Sequence, residues 1–230
     1  MTTAIRFAAA AWLLWAGLAQ PPATAHWVDR FDVRKADLRT RGKNPYFILE
    51  PGYQLVLEGP EATRLVVAVL NDTVNVDGFD TRIVEERETK GGLLVEISRN
   101  FFAISGRTRD VYYFGEDVDF YENGKRAEEE SAWRSGLDGA RFGLMMPGRP
   151  RVGARYHQEF APGVAMDRAE VLALDAAVTT PAGKFTRVLK IEETTPLEPD
   201  VRDVKYYAAG VGLIQDGTLK LVRHGYQIER

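Results

Sequence analysis

The chain contains no cysteine in its 230 residues. That excludes disulfides, thiol catalysis, Cys-x-x-Cys redox chemistry, cysteine-ligated zinc and cysteine-bound iron–sulfur clusters. Histidine is scarce, with three in all. An excess of positive charge is missing too: 30 Lys and Arg stand against 33 Asp and Glu, a net charge of −3. A nucleic-acid partner wants a basic surface over its phosphates, so the balance argues against one. No Gly-x-Ser-x-Gly elbow, His-Glu-x-x-His pair or Walker loop occurs. Gly210-Val211-Gly212 has Gln215 where a dinucleotide fingerprint needs its third glycine.

Long apolar runs are lacking except at the start. Arg6 precedes an apolar stretch over residues 7–19, Gln20-Pro21-Pro22 breaks it, and Ala23-Thr24-Ala25 fits a small-x-small cleavage site. Residues 1–25 are expected to be a signal peptide cleaved near Ala25. The protein is then exported, to the periplasm or the medium. The stretch is short for a membrane span, which needs roughly 20 apolar residues, so no stable span is expected after processing. An exported chain without disulfides must be held by its core alone. With 45% hydrophobic and 27% charged residues, such a core is available.

What is present is the punctuation of an all-β chain. Residues 26–43 are polar and read as an irregular N-terminal arm. From Tyr53 on, apolar segments rich in Val, Ile and aromatics are separated by Gly59-Pro60, Asp77-Gly78, Lys90-Gly91-Gly92, Pro181-Ala182-Gly183 and Asp216-Gly217. Asn123-Gly124 is the strongest two-residue hairpin signal. Gly and Pro crowd residues 135–155, which read as a long loop of functional interest. Residues 165–177 are the one place a helix could hide. The expected fold is therefore all-β, an antiparallel meander forming a lipocalin-like barrel or half-barrel over residues 44–230.

Several short motifs resemble a family of exported bacterial β-rich proteins of unknown function. They are Asn44-Pro45-Tyr46-Phe47, Tyr113-Phe114-Gly115-Glu116-Asp117, Trp133 with Gly136 and Asp138-Gly139, Met146-Pro147, Gln158-Glu159, Thr195-Pro196-Leu197-Glu198-Pro199 and Tyr206-Tyr207-Ala208-Ala209-Gly210-Val211-Gly212-Leu213. The similarity runs over roughly residues 44–222, and Ala209 stands where the family usually has proline. It implies β architecture and export, and carries over no catalytic residue.

The candidate site residues fall into three sets. Aromatics on alternate strand positions could line an apolar pocket with polar tips, and Tyr112, Phe114, Trp133, Tyr156 and Tyr206 are the expected ligand contacts. Plain core packing is the alternative use of the same side chains. If cleavage follows Ala25, His26 supplies an amine and an imidazole, a chelate suited to copper with His157 or His224; a free terminus and two strand histidines is the plainer reading. Asp117 and Asp119 share one strand face and offer oxygen ligands to calcium, against a solvated acidic hairpin. Glu159 with Asp167, or Glu192 with Glu193, are conceivable acid–base pairs whose separation a sequence cannot set. The reading that follows is an exported, non-enzymatic binding protein holding an apolar or amphipathic small molecule, its cofactor unknown. A metal-dependent factor or hydrolase, and a structural or interaction module, are the alternatives.

Overall fold

A computed structural model describes residues 26–228, with the backbone alone for residues 128–130. The signal-peptide reading of residues 1–25 lies outside the described residues. The described residues form seventeen strands. The first three are short: β1 (Leu38–Arg39), β2 (Gly42–Asn44) and β3 (Phe47–Leu49). Next come β4 (Tyr53–Glu58), β5 (Arg64–Val76), β6 (Phe79–Lys90), β7 (Leu93–Ser105), β8 (Val111–Glu122) and β9 (Lys125–Arg134). Then follow β10 (Arg141–Met146), β11 (Arg155–His157), β12 (Glu159–Phe160) and β13 (Arg168–Thr180). The chain ends with β14 (Gly183–Thr195), β15 (Glu198–Ala208), β16 (Gly212–Asp216) and β17 (Leu219–Tyr226).

The named pairings are antiparallel, and thirteen strands follow one another around a nearly closed barrel. The expectation of an all-β barrel is met. Two sequential meanders, β4 to β8 and β13 to β17, are joined by the pairing of β17 with β4. The turns carry the conformations their residues favour: Asn123 and Gly124 both have positive φ (51° and 76°), as the tight β8–β9 hairpin requires. Residues 165–177 are not helical; β13 begins at Arg168 and pairs with β14 along its length. Within the supposed loop over residues 135–155, β10 forms and pairs with both β8 and β12.

The two ends of the strand path, β11 and β12, are consecutive in the chain with only Gln158 between them. The backbone itself therefore bridges the seam. Gly143 on β10 makes this possible, because a Cβ there would stand 2.6 Å from the His157 carbonyl. The outer side of β11 is covered by the N-terminal arm: Val28 N–H donates to the Arg155 carbonyl (3.1 Å) and His157 N–H donates to the Val28 carbonyl (2.8 Å). Covering an exposed strand edge in this way removes a template for unwanted pairing.

Apolar side chains form two clusters. The larger fills part of the barrel interior, with Leu49, Val84, Phe102, Tyr113, Ile191 and Tyr207 among its members. The smaller lies outside the wall, where the N-terminal arm (Phe31, Val33 and Leu38) covers β7 and β8 and buries Phe101, Ala103, Tyr112 and Phe114. Both faces of β7 and β8 are thus apolar at this end. That accounts for the unbroken runs Phe101-Phe102 and Tyr112-Tyr113-Phe114.

The β2–β3 hairpin closes one end of the barrel, and three of the motifs named above meet there: Asn44–Phe47, Met146-Pro147 and the segment containing Gly210-Val211. Asn44 is 1% exposed. Its Nδ2 donates to the carbonyls of Arg109 (2.8 Å), Pro147 (3.1 Å) and, at the limit, Met146 (3.4 Å). Its Oδ1 accepts from Tyr46 N–H (2.7 Å). Gly210 N–H donates to the Pro45 carbonyl (2.7 Å), and Tyr53 Oη donates to the Val211 carbonyl (2.8 Å). One buried amide thus ties its own hairpin to two distant stretches of chain, at Arg109 and at Met146-Pro147. Asn44→Ala is expected to lower stability by about 2–3 kcal/mol, because it leaves buried carbonyls without donors. Urea unfolding measures this, and a loss below about 1 kcal/mol would mean the carbonyls find other partners.

Candidate functional site

The barrel is not filled. Its interior holds two adjoining chambers that share the walls Glu86, Phe102, Met145 and Lys205. The first has about 70 Å³ of space and a mostly apolar wall, including Tyr46, Phe47, Ile48, Leu55, Val69 and Val84. The second has about 200 Å³ and is mostly polar. At roughly 30 Å³ per water in the liquid, the two together have room for about nine waters. Beyond Lys205 and Asp216 an open surface cleft begins, bordered by Glu61, Glu88, Asp203 and Thr218. That pair therefore stands between the interior and solvent.

Strand alternation brings the polar groups inside. On β6, Val84 and Glu86 face inward while Glu85 turns out to Arg99 (3.3 Å). On β14, Leu189, Ile191 and Glu193 are buried while Glu192 turns out to Arg202 (2.9 Å). On β15, Lys205 and Tyr207 face inward. The polar chamber collects five carboxylates, Glu86, Glu116, Glu159, Asp167 and Glu193, around one lysine.

Lys205 Nζ lies 2.7 Å from Glu193 Oε2 and 3.6 Å from Asp216 Oδ2. Glu193 Oε1 accepts from Gln158 Nε2 at 2.8 Å. Burial alone would push the ammonium's pKa down, but Glu193, Asp216 and Tyr207 together hold it well above the usual lysine value. The carboxylates without such a partner move the other way. Burial pushes Glu86 up to about 7, against the opposing pull of Lys205. Burial and the neighbouring charges of Glu116 and Asp167 push Glu159 well above the ordinary carboxylate range. Asp167 and Asp216 are raised first by burial.

Tyr113 Oη contacts both Asn100 Oδ1 and Glu116 Oε2, the latter at 2.8 Å. One hydroxyl proton cannot serve two acceptors. The pattern is satisfied when Glu116 is protonated and donates to Tyr113, which then donates to Asn100. Burial raises the Glu116 carboxyl, consistent with that protonated state. Glu159 is 6% exposed and its Oε2 has no hydrogen-bond partner. The Trp133 indole N–H comes near enough to favour the charged carboxylate, yet completes no hydrogen bond.

The structure separates the expected ligand contacts. Tyr112 and Phe114 lie in the outer cluster beneath the N-terminal arm, and it is Tyr113 between them that lines the polar chamber. Tyr206 is half-buried with Lys190 over its ring (5.8 Å), while its neighbour Tyr207 lines the apolar chamber. In both places the interior set is one residue out of step with the expectation. On β8 apolar cover on the outer face removed the contrast that would have fixed the phase. Trp133 and Tyr156 are buried in the inner cluster, Trp133 edge-on to Tyr113 (5.3 Å) and Tyr156 with its hydroxyl unpartnered.

The groups considered for metals are scattered. Asp117 receives both of its oxygens' hydrogen bonds from Arg134 Nη2 (2.8 Å each), and Asp119 is held by Arg99 (3.0 Å) and Arg126 (2.6 Å). His26 is exposed. His157 is buried between Trp27 (6.3 Å) and Phe160 (5.5 Å), and burial lowers its pKa. His224 Nδ1 contacts Tyr53 Oη at 3.4 Å. Among the described residues no group of three or more His, Cys, Asp or Glu side chains is arranged to hold a metal ion.

Glu159 and Asp167, paired in the sequence reading, do meet: the Asp167 carbonyl accepts from Gln158 N–H (2.8 Å) and Glu159 N–H (3.3 Å). Glu86, Glu116 and Lys205 were not foreseen. The available signal was a charged residue on the inward parity of an apolar strand, as in Val84-x-Glu86 and Leu189-x-Ile191-x-Glu193. The chain was compared with family models, curated proteins and solved structures, and none matches.

Proposed function

We propose that this chain is an exported, non-enzymatic binding protein that carries a small amphipathic molecule inside its barrel. The observation behind the reading is the unfilled interior, in which an apolar chamber adjoins a polar one. Small barrels are ordinarily filled by their own side chains, so retained space costs packing energy that a bound molecule would restore. An apolar wall with a few convergent polar groups is the usual make-up of a ligand site. Export rests on Arg6, the apolar stretch behind it and the cleavage pattern ending at Ala25, and on the motif resemblance to exported β-proteins.

The test is a titration with N-phenyl-1-naphthylamine, a neutral dye that fluoresces in apolar surroundings. Saturable binding at a single site is expected. Val69→Trp, or Val84→Phe as a second filling variant, is expected to weaken it roughly tenfold or more while circular dichroism stays that of the parent. Absence of saturable binding to the parent chain would refute the reading.

A further inference from the structure

The charge of the polar chamber is one-sided. Among the described residues Lys205 is the one cation on its wall, and that ammonium is already taken by Glu193 and Asp216. Glu86, Glu116 and Glu159 face the same space with no cation of their own. Glu159 also has Oε2 unpartnered at 6% exposure. A buried acceptor left open in this way calls for a donor from elsewhere. The ring of Tyr113, stacked on Phe102 at 4.7 Å, stands beside the carboxylates and adds an aromatic surface of the kind that attracts cations. An anionic ligand would meet five carboxylates and no available cation. A neutral alcohol can hydrogen-bond to Glu159 Oε2 but brings no charge to favour the ionised carboxylates.

We propose that the polar chamber seats a protonated amine, so that the ligand is an alkyl amine or larger cationic amphiphile with its head among Glu86, Glu116 and Glu159. Its tail lies along the apolar wall past Phe102 and Met145, which both chambers share. This deepens the binding reading above and rests on it. The ammonium donates to Glu159 Oε2 and replaces, with a fixed ion pair, the water that the carboxylates give up on burial. Lys205, Asp216, Glu96 and Glu116 are the charged groups acting on Glu86, and Glu116 and Asp167 act on Glu159. Because a bound ammonium favours the ionised carboxylates, its binding expels protons, and affinity rises from about pH 6 to about pH 8.

The test is displacement of N-phenyl-1-naphthylamine at about pH 8 by n-octylamine, 1-octanol and octanoate, which differ only at the head. Octylamine is expected to compete roughly tenfold or more better than either of the others. Glu159→Gln, with Glu86→Gln as the second variant, is expected to bring the amine-to-alcohol ratio close to one. If the dye binds but octanol or octanoate competes as well as the amine, the amine inference is wrong and the binding reading stands. If the ratio survives in both variants, the head lies elsewhere and the inference is equally wrong. If the dye does not bind the parent chain, the binding reading itself has failed.

Discussion

Lys205→Met is expected to destabilise the fold by about 3–5 kcal/mol, the cost typical of removing one partner from a buried ion pair. The ammonium sits 2.7 Å from Glu193 and 3.6 Å from Asp216 on the inner wall. Methionine keeps the length of the stem and its packing, so the loss isolates the charge. Glu193 is 8% exposed and keeps Gln158 as a donor, but one neutral amide does not compensate a buried carboxylate. The side chain of Lys205 retains 24% of its exposure at the mouth, which places the expected loss toward the lower end. Adding Glu193→Gln is expected to recover about half of it, since removing both charges leaves less uncompensated than removing one. Urea unfolding of the parent, the single variant and the double variant provides the comparison. A loss below about 1 kcal/mol for Lys205→Met would show that the interior is hydrated enough to screen the pair.

Stability is also expected to fall as pH rises from about 5 to about 8. The sign follows from the protons. Glu86 has a usual value of 4.5 and is pushed by burial up to about 7 in the fold. Between those values the unfolded chain has released the proton and the folded chain still holds it. Folding therefore binds protons in this window, and raising the pH penalises it. The penalty is absent below about 4.5, complete above about 7, and on the order of 3 kcal/mol for Glu86 alone. Glu116, Glu159, Asp167 and Asp216 are shifted in the same direction and add to it. Lys205 is raised, so its contribution is present throughout the window and is lost only at strongly alkaline pH. Asp119 is lowered by hydrogen bonds from Arg99 and Arg126, and its contribution disappears only in acid below the window. Thermal melts at about pH 5 and about pH 8 decide the matter: the midpoint is higher at the lower pH, and Glu86→Gln narrows the gap. A midpoint that rises with pH would contradict the assignment of these carboxyls as protonated in the fold.

The fold was legible because the local signals agreed with one another. Asn123-Gly124, Asp77-Gly78 and Asp216-Gly217 mark turns that the chain makes, and the β-branched segments between them are strands. The pairing of β17 with β4 was not legible, since it joins the first long strand to the last. The bridging of the seam by Gln158 was hidden for a different reason: β11 and β12 have three and two residues, too few to show a period. The interior was misread in phase on β8, where a second layer covers the wall, and on β15, where none does among the described residues. On β8 the N-terminal arm buries Tyr112 and Phe114 from outside, so Val111 to Phe114 show no apolar–polar alternation. On β14 the alternation is visible, and Glu193 could have been assigned inward from Leu189 and Ile191. Its significance was lost because a carboxylate on that face contradicts the expectation of an apolar core. The motif Asn44-Pro45-Tyr46-Phe47 and the segment from Tyr206 to Leu213 carried their information as a tertiary contact, which neither stretch displays alone.

Native mass spectrometry of the protein recovered from its own cells and their medium tests the central claim most directly. The account predicts a chain beginning near His26 that carries a non-covalent organic species of amine character, released on unfolding. A bare chain that also takes up no added dodecylamine would contradict it.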